Sequence, residues 1–94
     1  MVYVIVKFVV KEESADNFNT IMNSLKLDLP GVDGCEAVQI YNSLGDPAVY
    51  SLVETWQSED FHKRHIDHLQ SSGDWNKISA LLEKDPEVFY AKHL

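Results

Sequence analysis

Glu54-Thr55-Trp56-Gln57-Ser58-Glu59-Asp60-Phe61-His62-Lys63-Arg64-His65 joins the end of one element to the start of another, and the fold is read outward from it. Residues 48–56 (AVYSLVETW) place Tyr50, Leu52 and Trp56 on one face and Val49 and Val53 on the other, as in a strand. After a two-residue break, Ser58 is a suitable N-cap for a helix reaching to about Leu69. Phe61, His65 and Leu69 follow each other at i, i+4 and i+8, so His65 is expected on the inward side of that helix. A strand-end tryptophan and an inward histidine nine residues later put a flat aromatic surface beside a group that titrates near neutral pH.

Upstream, residues 35–42 (CEAVQIYN) alternate about Val38 and Ile40, and Ser43-Leu44-Gly45-Asp46-Pro47 has the chemistry of a turn, so 35–56 reads as a hairpin. Residues 2–10 (VYVIVKFVV) are almost continuously apolar and β-branched, a strand expected to be covered on both faces. Ser14 is the expected cap of a helix over 15–29, whose Phe18, Ile21, Met22, Leu25 and Leu29 form one apolar stripe. Pro30-Gly31 stops it, and Gly34 marks the next turn. Downstream, Ser71-Ser72-Gly73 breaks the second helix. Asp74 is expected to cap a short third one carrying Trp75, Ile78, Leu81 and Leu82, and residues 87–91 (EVFYA) follow Pro86 as a last strand.

The order β-α-β-β-α-α-β reduces, with the adjacent helices merged, to the βαββαβ unit of the ferredoxin-like α+β fold. That fold is a four-stranded antiparallel sheet with helices on one face. Residues 1–94 form one domain. With helices on one side only, an apolar second face needs a cover, and a homodimer pairing sheet on sheet is the simplest one.

A net charge of −7, with eight scattered basic residues, argues against nucleic acid and anionic membranes as partners. No apolar run approaches the ~20 residues of a membrane span, and the N-terminus lacks the marks of a signal peptide. The single cysteine, Cys35, fits a reducing cytoplasm and is expected as a buried, inert thiol.

With its elements ordered, the chain resembles the antibiotic biosynthesis monooxygenase family. The resemblance rests on Leu29-Pro30-Gly31 with Gly34-Cys35, on Tyr50 to Trp56 as the third strand, and on Ser58, Phe61 and His65 at the family's spacing after the tryptophan. It implies a dimeric α+β barrel with a pocket between sheet and helices in each subunit. It further implies a cofactor-independent monooxygenase acting on a quinol-like or polycyclic phenolic molecule. A non-catalytic protein binding a small aromatic ligand and an isomerase on the same scaffold are the alternatives. Two departures stand out. Family members often carry a second histidine five residues after the first, where this chain has Gln70. The haem-degrading branch has an asparagine in the first strand, where this chain has Val6-Lys7-Phe8.

The candidate catalytic pair is His65 and Glu54. His65 is either a core histidine bonded to a neighbour such as Glu54 or a base for a bound phenol. Glu54 lies on the Trp56 face, and a buried carboxylate there needs a partner such as Lys7, Arg64 or His65. Trp56, Phe61, Tyr50 and Asn42 are the candidate substrate-binding residues, with Trp56 as a stacking platform or as core. Tyr3, Tyr41 and Trp75 are further candidates to line a pocket. His62, His65 and His68 fan across about 120° of their helix and do not converge on one ion, so no metal site is expected, and the resemblance implies no cofactor.

Overall fold

A computed structural model describes all residues from Met1 to Leu94. Strand β1 (Val2–Val9) leads through a 3-10 turn to helix α1 (Ala15–Asp28). A second 3-10 turn, Leu29–Gly31, then leads to the hairpin β2 (Cys35–Asn42) and β3 (Val49–Trp56). Helices α2 (Glu59–Ser72) and α3 (Asp74–Ser79) follow, and β4 (Glu87–Ala91) closes the chain. The sheet order is β2-β3-β1-β4, with all neighbours antiparallel. This is the ferredoxin-like α+β arrangement expected from the element order.

The register sets the two faces. Val6 lies opposite Leu52 on one side and Val88 on the other, while Val4 lies between Glu54 and Tyr90. These residues share the face toward the helices. A bulge between Cys35 and Ala37 turns Cys35 inward opposite Trp56 and leaves Glu36 exposed. Cys35 is buried, and burial first, then the charge of Glu54, pushes its thiol up from the ordinary value.

The core is the inner face of the sheet and the stripe of α1. Phe18 sits edge-on to Phe8, with ring centroids 5.4 Å apart, and 4.9 Å from Tyr50. Each fully buried side chain of this size stabilises the fold by roughly 1.5–3 kcal/mol. The outer face carries Tyr3, Ile5 and Val9 from β1, Val49 and Val53 from β3, and Phe89 from β4, all at least partly exposed. β1 is therefore covered by this chain on one face only, where its sequence called for cover on both.

The element ends depart from expectation in instructive places. Ser14 and Ser58 stand at the helix starts, but neither side chain makes a capping bond. Ser14 is instead buried in the 3-10 turn, its N–H donating to Lys11 O at 2.9 Å. α2 runs on past Leu69 to Ser72, and Gly73, at φ +85°, both ends it and caps α3, so Asp74 is the first helical residue and not the cap. Leu81 and Leu82 lie beyond α3, and Leu82 is buried through a bridge to Val10.

Candidate functional site

The inward row of β3 is Tyr50, Leu52, Glu54 and Trp56, a carboxylate among apolar neighbours. Glu54 is 6 % exposed and Trp56 is fully buried. A carboxylate so placed is costly unless its oxygens are bonded. Two residues along the same face, the Trp56 indole supplies one bond, Nε1 donating to Glu54 Oε1 at 2.9 Å. Burial pushes the Glu54 carboxyl up from its ordinary value, and the Trp56 bond opposes that shift.

Helix α2 lays two histidines over this row. His62, 4 % exposed, has its ring 5.4 Å from Trp56. Its Nδ1 is 2.8 Å from the hydroxyl of Tyr90 on β4, and its Nε2 is 3.9 Å from Glu54 Oε1. Burial, then the neighbouring His65, pulls the His62 pKa down to about 4, so the ring is neutral at physiological pH. His65, one turn on and half-buried, is 5.3 Å from the Trp56 ring at a 34° tilt. Burial, then His68, lowers its pKa as well. Both rings are therefore held as neutral imidazoles, able to accept or donate a proton.

These groups border a cavity of about 320 Å³ between sheet and helices, at the low end of the roughly 300–1,000 Å³ usual for small-molecule sites. Twelve of the seventeen residues around it are hydrophobic. Met22 and Leu25 of α1, Leu69 of α2, and Trp75 and Ile78 of α3 form its apolar body. Its polar lining is Glu54, His62, His65, Gln70 and Tyr90, of which Glu54, His62 and Tyr90 adjoin one another.

The structure gathers some of the expected residues and scatters others. Glu54, His65 and Trp75 border the cavity. Trp56 lies beneath Glu54 and the histidines and does not line it. Phe61 packs outside, under the Arg64 guanidinium (5.0 Å from the ring centroid), and lines an open groove with Asp33, His65 and His68. Tyr50 and Asn42 lie at a separate small hollow of about 130 Å³. There the Tyr50 hydroxyl accepts from Asn19 Nδ2 at 3.1 Å, and Asn42 Nδ2 donates to Pro47 O and Val49 O, holding the hairpin turn. Tyr3 and Tyr41 belong to the outer face.

The expected partners of Glu54 differ too. Lys7 faces outward toward Glu87 at 4.0 Å, Arg64 stacks on Phe61, and the nearest histidine is His62, not His65. His62 and Tyr90 are the two residues that reading the sequence missed. The spacing His62–Ile66–Leu69 would have found the first, since all three border the cavity. No group of three or more His, Cys, Asp or Glu side chains is arranged to hold a metal ion. No helix is long and apolar enough to cross a membrane.

An antiparallel sheet backed by helices, with a partly open, mainly apolar cavity and polar groups at its wall, defines a small-molecule-binding α+β protein. The sequence model described as antibiotic biosynthesis monooxygenase matches residues 1–72, and the chain belongs to that family. Solved structures with the same fold include one titled as an antibiotic biosynthesis monooxygenase, 19 % identical with a TM-score of 0.88, covering 100 % of this chain and 99 % of that one. A conserved protein of Methanosarcina mazei Go1 is 24 % identical with a TM-score of 0.83 over 97 % of this chain and 90 % of its own. Rv0793 of Mycobacterium tuberculosis is 18 % identical with a TM-score of 0.84 over 99 % of this chain and 94 % of its own. At these identities the likeness fixes the fold alone. No curated protein matches the sequence.

Proposed function

We propose that this chain is a cofactor-independent monooxygenase acting on a quinol-like or phenolic molecule, held in the cavity between sheet and helices. The observation that carries the reading is the cavity's combination of an apolar body with the polar groups of Glu54, His62 and His65. A flat ring system suits the body, and a ring hydroxyl suits those polar groups. The modest volume favours a two-ring quinol over a larger polycycle.

The chemistry needs no outside reductant. A quinol and O₂ give a hydroxyquinone and water, the quinol supplying all four electrons. His65, as a neutral imidazole, accepts the hydroxyl proton, and the Glu54 carboxylate bordering the same cavity steadies the resulting imidazolium through its charge. The phenolate passes one electron to O₂. The radical pair joins at a ring carbon, and the hydroperoxide loses water. Exclusion of bulk water by the apolar walls protects the intermediates.

The same reading makes the protein a cytoplasmic homodimer, paired through the outer sheet face. Tyr3, Ile5, Val9, Val53 and Phe89 support that pairing because together they leave an apolar surface uncovered. Sedimentation at micromolar concentration tests it, and a monomer would remove it.

Oxygen uptake by metal-free protein against a panel of naphthoquinols and polycyclic phenols tests the activity, with His65→Ala beside the wild type. Uptake that is lost in a folded variant is the expected result. No uptake across the panel overturns the enzymatic reading. Saturable binding without uptake would then leave a non-catalytic binding protein, or an isomerase using the same proton-transfer groups.

A further inference from the structure

Two side chains more than nine-tenths buried present unused polar atoms to the cavity. His62 spends Nδ1 on Tyr90, and Glu54 spends Oε1 on the Trp56 indole. Every side-chain nitrogen and oxygen that is shut away from solvent has a hydrogen-bond partner. His62 Nε2 and Glu54 Oε2 have none, so both are open to the cavity they border. The 3.9 Å between Nε2 and Oε1 is too long for a hydrogen bond. Oε1 keeps a second lone pair beside the Trp56 bond, and the gap is short enough for one oxygen atom to sit about 2.8 Å from both Nε2 and Oε1.

We propose that His62 and Glu54 form a clamp that accepts a ring hydroxyl and rejects a ring carbonyl, with Tyr90 fixing which imidazole nitrogen donates. The inference rests on the ligand class proposed above and adds that the site distinguishes the reduced ligand from its oxidised product. Facing a carboxylate, the imidazole carries its proton on Nε2, and Nδ1 accepts from the Tyr90 hydroxyl. A ligand hydroxyl then accepts from Nε2–H and donates to Glu54, filling both roles at once. A carbonyl has no proton to give. Its lone pairs face the carboxylate, and a buried charge loses its water without replacement. Once the ring is oxidised, the clamp turns from attraction to repulsion and favours release.

The ionisation states agree with this geometry. His62 is held neutral, so it donates as imidazole. Burial chiefly raises the Tyr90 pKa, so its hydroxyl keeps the proton that Nδ1 accepts. Burial raises the Glu54 pKa and the Trp56 bond opposes that rise, so the clamp is tested at pH 8, where the carboxylate is favoured. Tyr90 and His62 are positioning residues in this scheme and take no part in the oxygen chemistry.

The test is calorimetric binding at pH 8, under anaerobic conditions, of 1-naphthol and 1-tetralone. These are two-ring compounds with one oxygen on the same carbon, hydroxyl in one and carbonyl in the other. The expected preference for 1-naphthol is about 10- to 100-fold, the range for a charge-assisted hydrogen bond. Glu54→Gln, whose amide can donate to a carbonyl, should bring the ratio near one, and Tyr90→Phe should reduce it by a smaller factor. Equal binding of the two compounds by the wild type would overturn the clamp, and that result needs no variant to fold. So would failure of 1-naphthol to bind, or a ratio unchanged in folded Glu54→Gln protein. Because no oxygen is consumed, the ratio stands or falls apart from the monooxygenase reading. Uptake without preference removes only the clamp, and preference without uptake removes only the oxygen chemistry.

Discussion

Helix α1 and the pair α2–α3 lie on the same face of the same sheet, yet they cover it to different depths. On α1, Phe18 and Met22 are buried, and Phe18 is wedged between Phe8 and Tyr50. On the other side, Ile66, Leu69, Trp75 and Ile78 are only half-buried and border the 320 Å³ cavity. Close packing is the rule in protein interiors, and a void forfeits contact energy. The Phe18 end of α1 therefore supplies stability, while α2 and α3 give some up where they leave the cavity open. The fold can carry that loss because a domain's total margin, about 5–15 kcal/mol, is held elsewhere.

The comparison breaks first at Phe18. Phe18→Ala should cost about 3–5 kcal/mol, the usual loss for a buried phenylalanine. Ile78→Ala, at the cavity wall, should cost far less because its side chain already faces empty space. Urea denaturation of the two variants measures both. Equal losses would mean that the two regions are packed alike.

Acid acts on the cavity side alone. Stability rises with pH wherever the unfolded chain binds more protons than the folded one. The His62 pKa is about 4 when folded and 6.5 ordinarily, so between those values the unfolded chain holds the extra proton. Lowering the pH from 6.5 to 4 should therefore remove up to roughly 3 kcal/mol. His65, whose pKa burial also lowers, adds to this loss in the same sense, and Glu54 acts in the opposite one. Its folded pKa lies above 4.5, so the folded chain holds the extra proton and gains stability as the pH falls. Thermal melts across this range should be flatter in His62→Leu and steeper in Glu54→Gln. A slope unaffected by His62→Leu would show that another group governs acid sensitivity.

How far these regions were legible in the sequence follows from how local their signals are. The run 2–10, the hairpin 35–56 and the α1 stripe depend on period and turn chemistry, and they appear within a residue or two of expectation. Helix starts were misjudged in mechanism more than in position, because Ser14 and Ser58 occupy the right places without making the bonds that justify them. The site was less legible. His65 was found by its spacing from Phe61, but Phe61 packs against Gly34 and faces away from the cavity. The cavity side of that helix is centred nearer His62 and Ile66. Tyr90 was beyond reach. It meets His62 across 28 residues of chain, through the pairing of β4 with β1, which no local pattern encodes.

Gly34 also supplies a further break. It sits at φ +86°, and a Cβ there would overlap the Cβ and Cγ of Phe61. Gly34→Ala should cost about 2–5 kcal/mol from backbone strain and overpacking combined. Because Phe61 belongs to α2, the shift should displace the histidines and weaken 1-naphthol binding more than the stability loss alone explains. A variant that melts lower but binds normally would separate Phe61 from the site.

The smallest effect on stability should come with the largest effect on function. Leu69 is half-buried on the cavity side of α2, so Leu69→Phe adds its extra atoms to open space. Overpacking costs of about 1–3 kcal/mol arise where a core is already full. Here the larger ring gains contacts as it fills the void, and the net change should lie within about 1 kcal/mol of zero. Binding of 1-naphthol should be lost, and oxygen uptake with it, while the acid slope set by His62 and Glu54 persists. A drop in stability like that of Phe18→Ala would mean that the cavity is filled in solution by the protein's own side chains. The two helical regions over the sheet would then differ in shape but not in packing.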